Sequence, residues 1–223
     1  MKEYTITRAE GDVPLGEAVD GTPWENARPF RIDEFSWYEG GPKPLTTGRA
    51  CYDDEAIYLQ FFVEDDDISA DVTTLNGPTF EDSSVEFFAD PTPEQDSMYF
   101  NFEPNCCGQF KVAWQEAGWQ ERGLERDLIS PELASRISIE TSVSGPTTTG
   151  RREDSWWLTA AIPFDVLSEL TGYNISPTAG TEWRGNFYRS GVASDSQKAT
   201  WNPIEKPEPE YHSPEYFGRL RFD

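Results

Sequence analysis

The chain has 223 residues, enough for one domain with a sizeable apolar core, and its 36% hydrophobic and 14% aromatic content excludes a disordered chain. Against 41 Asp and Glu stand 18 Lys and Arg, a net charge of −23. Such a balance excludes the nucleic-acid backbone and the anionic membrane surface as partners, because both would repel it.

From the amino end, MKEYTITRAEGD carries one lysine and no apolar leader core, and no run of about 18 apolar residues follows. A cytoplasmic chain is the expectation, with an extracellular one the alternative if a leader was removed. Strands are expected where short aromatic and β-branched runs lie between Gly, Pro or Asp clusters. In chain order these are Ala56–Glu64, Ser84–Ala89, Met98–Glu103, Gln109–Trp114, Ile137–Val143, Ser155–Ile162, Trp183–Ser190 and Phe217–Phe222. Only Pro163–Leu170 has helical spacing, with a proline at its start. The segments 145–154 and 205–214 are rich in turn formers, and no repeat of about 20–50 residues or domain boundary interrupts the chain. The prediction is a single all-β domain over residues 1–223, an antiparallel jelly-roll-like sandwich with one short helix.

Period-two alternation assigns the faces. Ile57, Leu59, Phe61 and Val63, then Val85 and Phe87, then Met98, Phe100 and Phe102 point to the core. The opposite faces carry Glu86, then Tyr99, Asn101 and Glu103, then Lys111. Carboxylates, an amide and an ammonium group on one sheet face can bond vicinal sugar hydroxyls in fixed directions. Alternation alone also allows a plain solvated face. Loop aromatics, namely Trp37, Tyr38, Phe80, Trp119, Trp201 and Tyr211, can stack on the C–H side of a sugar ring or plug the end of the sandwich.

Catalytic readings are narrower. His212 is the sole histidine, so at most one Ser-His-Asp arrangement could form, and no G-x-S-x-G, H-E-x-x-H, G-x-G-x-x-G or P-loop is present. Glu86 and Glu103 keep a two-carboxylate glycosidase open, with about 5 Å separating retaining from the wider inverting geometry. The acidic clusters 52–55 and 65–67 offer oxygen ligands for calcium, or are ordinary solvated turns. Haem ligation through Met98 would need His212 or a lysine as second axial ligand. No cofactor is required by any motif.

Thirteen Arg and five Lys make up the cations, and a surface so acidic and poor in lysine predicts adaptation to molar salt, where charges are screened within ~3 Å at about 1 M. Cys51, Cys106 and Cys107 are odd in number, and the adjacent pair makes a poor bridge in a strand, so a reducing compartment is expected.

Several stretches together resemble the family-9 carbohydrate-binding modules and the family-9-like domains. They run from Asp20-Gly21, Trp24 and Ala27 through Thr47–Asp54, Ile57–Leu59 and Val63–Asp65 to Phe80–Phe88 and Tyr99–Asn105 with Gly108. They continue with Trp157, Ile162-Pro163, Asn186–Arg189, Thr200–Pro203, His212 and Phe217–Leu220, so the resemblance spans nearly the whole chain. It implies a β-sandwich that binds carbohydrate without catalysis, a terminal sugar being clamped between two rings. Phe80 and Trp201 match the ring positions, and Glu86 matches the hydrogen-bonding glutamate. Asn101, Glu103 and Lys111 join them as candidates on the inferred face alone. Phe80 departs from the tryptophan common there, the family's site arginine has only Lys111 and Arg189 as nearby matches, and a structural calcium is allowed without assignable ligands. A relative that has lost the sugar site and binds a protein partner is the alternative, and no such partner is identified.

Overall fold

The computed structural model describes residues 1–65, 67–151, 155–192 and 197–223, with residues 148–151 described by backbone only. In chain order its strands are β1 (Glu3–Arg8), β2 (Phe30–Arg31), β3 (Thr46–Tyr52), β4 (Ala56–Glu64), β5 (Ile68–Ala70), β6 (Ser84–Asp90), β7 (Met98–Pro104) and β8 (Phe110–Glu116). They continue as β9 (Asp127–Leu128), β10 (Ser138–Thr141), β11 (Thr147–Arg151), β12 (Ser155–Pro163), β13 (Glu182–Ser190), β14 (Ala199–Thr200) and β15 (Gly218–Phe222). The helices are α1 (Trp119–Arg122), α2 (Pro131–Ala134) and α3 (Phe164–Thr171).

Two layers face each other. The front layer runs β15-β13-β6-β7-β8-β9, with β14 on β13, and the back layer runs β10-β12-β4-β3, with β2 on β3. β1 joins them, pairing in parallel with β15 from Glu3–Arg219 to Ile6–Phe222 and with β3 at Thr7–Cys51 and Arg8–Tyr52. All other pairings between described strands are antiparallel. The expected antiparallel sandwich is therefore present, except that the stitching strand runs parallel to both its neighbours. The expected helix is present as α3, displaced by one residue because Pro163 stays extended as its N-cap and Gly172, at φ 74°, ends it. The one-turn helices α1 and α2 are additions.

The inward faces are those that alternation assigned. Ile57, Leu59, Phe61, Val63, Val85, Phe87, Phe100 and Phe102 are buried. Phe187 of β13 stacks on Phe30 at 4.1 Å and on Phe87 at 4.9 Å between ring centres, tying the layers together. Gly48 is needed beneath Phe30, since a Cβ there would lie 2.3 Å from the ring. A second tie is ionic: Arg189 of β13, fully buried, lies 3.6 Å from Asp65, which also accepts a hydrogen bond from Trp156 Nε1 at 3.4 Å.

The outer face of the front layer is not left to solvent. Phe88, Tyr99 and Tyr188 rise from it and are covered by Ile204, Tyr211 and Phe217 of the returning chain, with Trp37 and Trp119 at the edges. Tyr211 stacks on Tyr188 at 4.4 Å. The central strands β13, β6 and β7 are thus largely covered on both faces, while β15 and β9 at the edges keep exposed residues and an opening lies over β6–β8.

Candidate functional site

That opening is a cavity of about 430 Å³ over β6, β7 and β8. Strand register builds its floor. Tyr188 of β13 pairs with Glu86 of β6, and the pairs on either side, Ser84 with Asn105 and Phe87 with Phe102, bring Glu86 opposite Glu103 of β7. Glu103 in turn pairs with Lys111 of β8. Adjacent strands lie about 4.8 Å apart, so three ionisable groups stand in one row across the sheet. Glu86 and Glu103 are each 2% exposed and Lys111 is 8% exposed.

The row is held from the sides. Glu86 accepts a hydrogen bond from Ser190 Oγ at 3.2 Å, and Glu103 lies 3.8 Å from Lys111 Nζ and accepts from Asn101 Nδ2. Asn101 also accepts from the Ala113 N–H at 3.0 Å, so both ends of its amide are engaged beneath the cavity rather than in it. Burial, and secondly the charge of Glu103, pushes the Glu86 carboxyl well above the usual carboxylate range, opposed by Lys198, Ser190 and Lys111. Burial also raises Glu103, but Lys111 and Asn101 oppose it directly. Both carboxyls are therefore pushed toward the uncharged form, Glu86 with the charge of Glu103 adding to its burial and Glu103 with Lys111 set directly against it.

The walls are aromatic and cationic. Phe80, 44% exposed, stands at the mouth with Lys111 Nζ 5.3 Å from its ring centre. Trp119 of α1 forms another wall, with the Arg126 guanidinium 4.1 Å over its ring. Tyr211, with Lys198 Nζ at 5.3 Å, and His212 close the remaining side. His212 Nδ1 lies 2.9 Å from Tyr99 Oη, and burial, then the charges of Arg126 and Lys111, lower its pKa to about 3. It is a neutral imidazole at ordinary pH.

Four of the six residues expected at the site therefore line one cavity: Phe80, Glu86, Glu103 and Lys111. Asn101 supports them from behind. Trp201 is a correction: it is 4% exposed and belongs to the inner core. Its N–H bonds Phe187 O at 2.8 Å, and its ring presses on Gly218, where a Cβ would lie 2.4 Å away, and meets Tyr4 and Phe187 edge-on. Of the other loop aromatics, Trp119 and Tyr211 reach the cavity. Arg126 and Lys198 were not expected there. The one available signal was the scarcity of cations in so acidic a chain, which makes any loop cation informative. Arg189, weighed as a site cation, is instead the buried partner of Asp65.

Other chemistries fare differently. Met98 packs against the inner core while His212 sits over the outer face, so the two cannot ligate one haem iron. Three of the carboxylates expected as calcium ligands are engaged elsewhere. Asp65 faces Arg189, Asp53 caps its own turn by accepting from the Glu55 and Ala56 N–H groups, and Asp54 pairs with Arg8 at 2.6 Å. Asp66 of that cluster lies outside the described residues, among which no group of three or more metal-ligating side chains gathers. Cys51 is a buried free thiol, and Cys107 Sγ donates to the Gly145 carbonyl at 2.7 Å. Among the described residues, no helix is long and apolar enough to cross a membrane.

A solved protein of Bacteroides uniformis, described as a candidate carbohydrate-binding protein, is 27% identical and superposes with a TM-score of 0.86, covering 100% of this chain and 99% of its own. A carbohydrate-binding module of family 9 from Caldicellulosiruptor kristjanssonii, solved with glucose, is 14% identical with a TM-score of 0.64, over 100% of this chain and 96% of its own, which shows a shared fold. A fungal relative from Arthroderma benhamiae, named an extracellular protein, is 24% identical over 194 residues, 81% of this chain and 80% of that one. The sequence profile of carbohydrate-binding family 9 matches residues 21–222. The chain belongs to carbohydrate-binding family 9.

Proposed function

We propose that this chain binds the end of a mono- or oligosaccharide in the cavity over β6–β8, without turning it over. The observation that carries the reading is the convergence of Glu86, Glu103 and Lys111 on a floor walled by the exposed Phe80 ring and Trp119. Rings supply flat apolar area to one side of a pyranose, and the row of charged groups accepts and donates toward its hydroxyls. Asn101 acts through Glu103 by fixing its orientation. Membership of the family and the sugar complex of the Caldicellulosiruptor module support the same reading.

Adjacent strands bring Glu86 and Glu103 to the spacing of about 5 Å that a retaining glycosidase uses, so the non-catalytic reading rests on membership of the binding family and is tested by turnover. Trp119 places a fluorophore on the wall, so a tryptophan fluorescence titration against a panel of sugars in about 2 M KCl reads binding directly. A saturable change that is lost in Phe80→Ala and Glu86→Gln is expected, with no release of nitrophenol from aryl glycosides. A flat response from folded protein refutes sugar binding, and turnover that vanishes in Glu103→Gln refutes the non-catalytic reading.

The net charge of −23 supports a salt-adapted protein. Dilution from about 2 M to about 50 mM KCl is expected to lower the thermal midpoint steeply. An unchanged midpoint would refute salt adaptation without touching the sugar site.

A further inference from the structure

The charge of the cavity is at odds with the charge of the chain. A molecule with 41 acidic and 18 basic side chains brings Lys111, Arg126 and Lys198 to one opening, against Glu86, Glu103 and Glu210. Two of its five lysines are there. The six are not equivalent. Lys111 and Glu103 answer each other across the floor. Glu210 is turned into its own loop, where Oε1 accepts the His212 N–H at 2.8 Å. Glu86 is held by Ser190, and its burial favours the uncharged form.

Arg126 and Lys198 remain. Among the described residues neither makes an ion pair, and each lies against a ring instead, Arg126 on Trp119 and Lys198 beside Tyr211. A guanidinium seated 4.1 Å over an indole is positioned by the ring, and no hydrogen bond among the described residues takes up its N–H edge. That edge matches a carboxylate, with two parallel N–H groups to two oxygens, better than it matches a hydroxyl. The charges of Arg126 and Lys198 reach Glu103 and Glu86 only through space, and a neutral sugar would pair with neither cation directly.

Resting on the sugar-binding reading above, we infer that the sugar taken by this cavity is a uronic acid, whose carboxylate is met by Arg126 and Lys198. Glu86, Glu103 and Lys111 then face the ring hydroxyls, and Phe80 the apolar face. The carboxylate at C6 distinguishes the ligand from the parent hexose, so the preference belongs to the wall and the affinity for the ring to the floor.

The test is a titration of the folded full chain with matched sets, glucose with glucuronate and glucuronamide, and galactose with galacturonate and galacturonamide. Within at least one set the uronate is expected to bind about tenfold or more tightly than both neutral members, the order of a charge-assisted contact. In Arg126→Gln and in Lys198→Gln that ratio is expected to fall toward one, whatever happens to the absolute affinities. Equal binding within every set, or tighter binding of the hexose, overturns the uronate inference and leaves sugar binding standing. A uronate preference that survives both substitutions assigns the carboxylate elsewhere and overturns the role of this wall. No binding of any member by folded protein removes the sugar site itself.

Discussion

Replacing Trp201 by alanine separates the core from the site most sharply. The indole is 4% exposed, lies edge-on to Tyr4 and Phe187, and rests on Gly218. An indole buries roughly 200 Å² of largely apolar surface, which at about 25 cal/mol per Å² is close to 5 kcal/mol, and large-to-small aromatic substitutions in cores cost about 3–5 kcal/mol. The upper part of that range applies here, because Gly218 has no side chain that could move into the space. For a chain of this length, about 2–4 °C is lost per kcal/mol, so a loss of about 4–5 kcal/mol should lower the thermal midpoint by roughly 8–20 °C. Phe80→Ala is the control: the ring is 44% exposed at the cavity mouth, so stability should change by less than about 1 kcal/mol while sugar affinity is lost. Urea unfolding in 2 M KCl measures the first quantity and a fluorescence titration at 15 °C the second. If Trp201→Ala kept the wild-type midpoint but lost the sugar, the ring would be part of the site and the core assignment would be refuted.

Three further outcomes follow from the packing. Glu86 has its folded-state pKa raised by burial, so between the unfolded and folded values the native state binds the extra proton and stability falls as pH rises. Glu86→Gln should therefore flatten the decline in thermal midpoint between pH 5 and pH 9, and a decline of unchanged slope would mean that another group causes it. Asp65→Ala removes a buried carboxylate that faces Arg189 and accepts the Trp156 N–H, and a loss of about 1–3 kcal/mol is expected by denaturant titration; an unchanged midpoint would mean that Asp65 contributes nothing to the core. Gly48→Ala pushes a methyl group into Phe30 and should cost about 1–3 kcal/mol, whereas Gly11→Ala, with nothing within 4 Å, has only its backbone strain to bear at φ 87°.

The legible part of the fold was the part with strict alternation. AIYLQFFVE places every second side chain in the core and became β4 with the predicted bounds. β1 and β3 were not foreseen: EYTITR is short, and TTGRACY has a glycine where an apolar residue would have signalled a strand, a glycine the structure requires under Phe30. At the site, period-two bookkeeping correctly placed Glu86, Glu103 and Lys111 on one face, since adjacent strands keep that face in register. It could not show that the face would be roofed by residues 204–217, because such cover depends on a long return of chain rather than on a local pattern. Trp201 misled for the same reason, as a ring in a loop-like segment points inward or outward according to what lies beneath it, here Gly218.

The parallel pairing of β1 with β15 has a mechanical consequence. Glu3 lies beside Arg219 and Ile6 beside Phe222, so the first and last residues sit at opposite ends of one strand pair. A load applied between the two termini pulls these strands in opposite directions along their length. The ladder is then strained in shear, all its bonds together, instead of being unzipped one bond at a time. A domain held at both ends, between an anchor and a neighbour, would resist extension through these two strands while its cavity, set in the side of the front layer, stayed unloaded and open to its ligand.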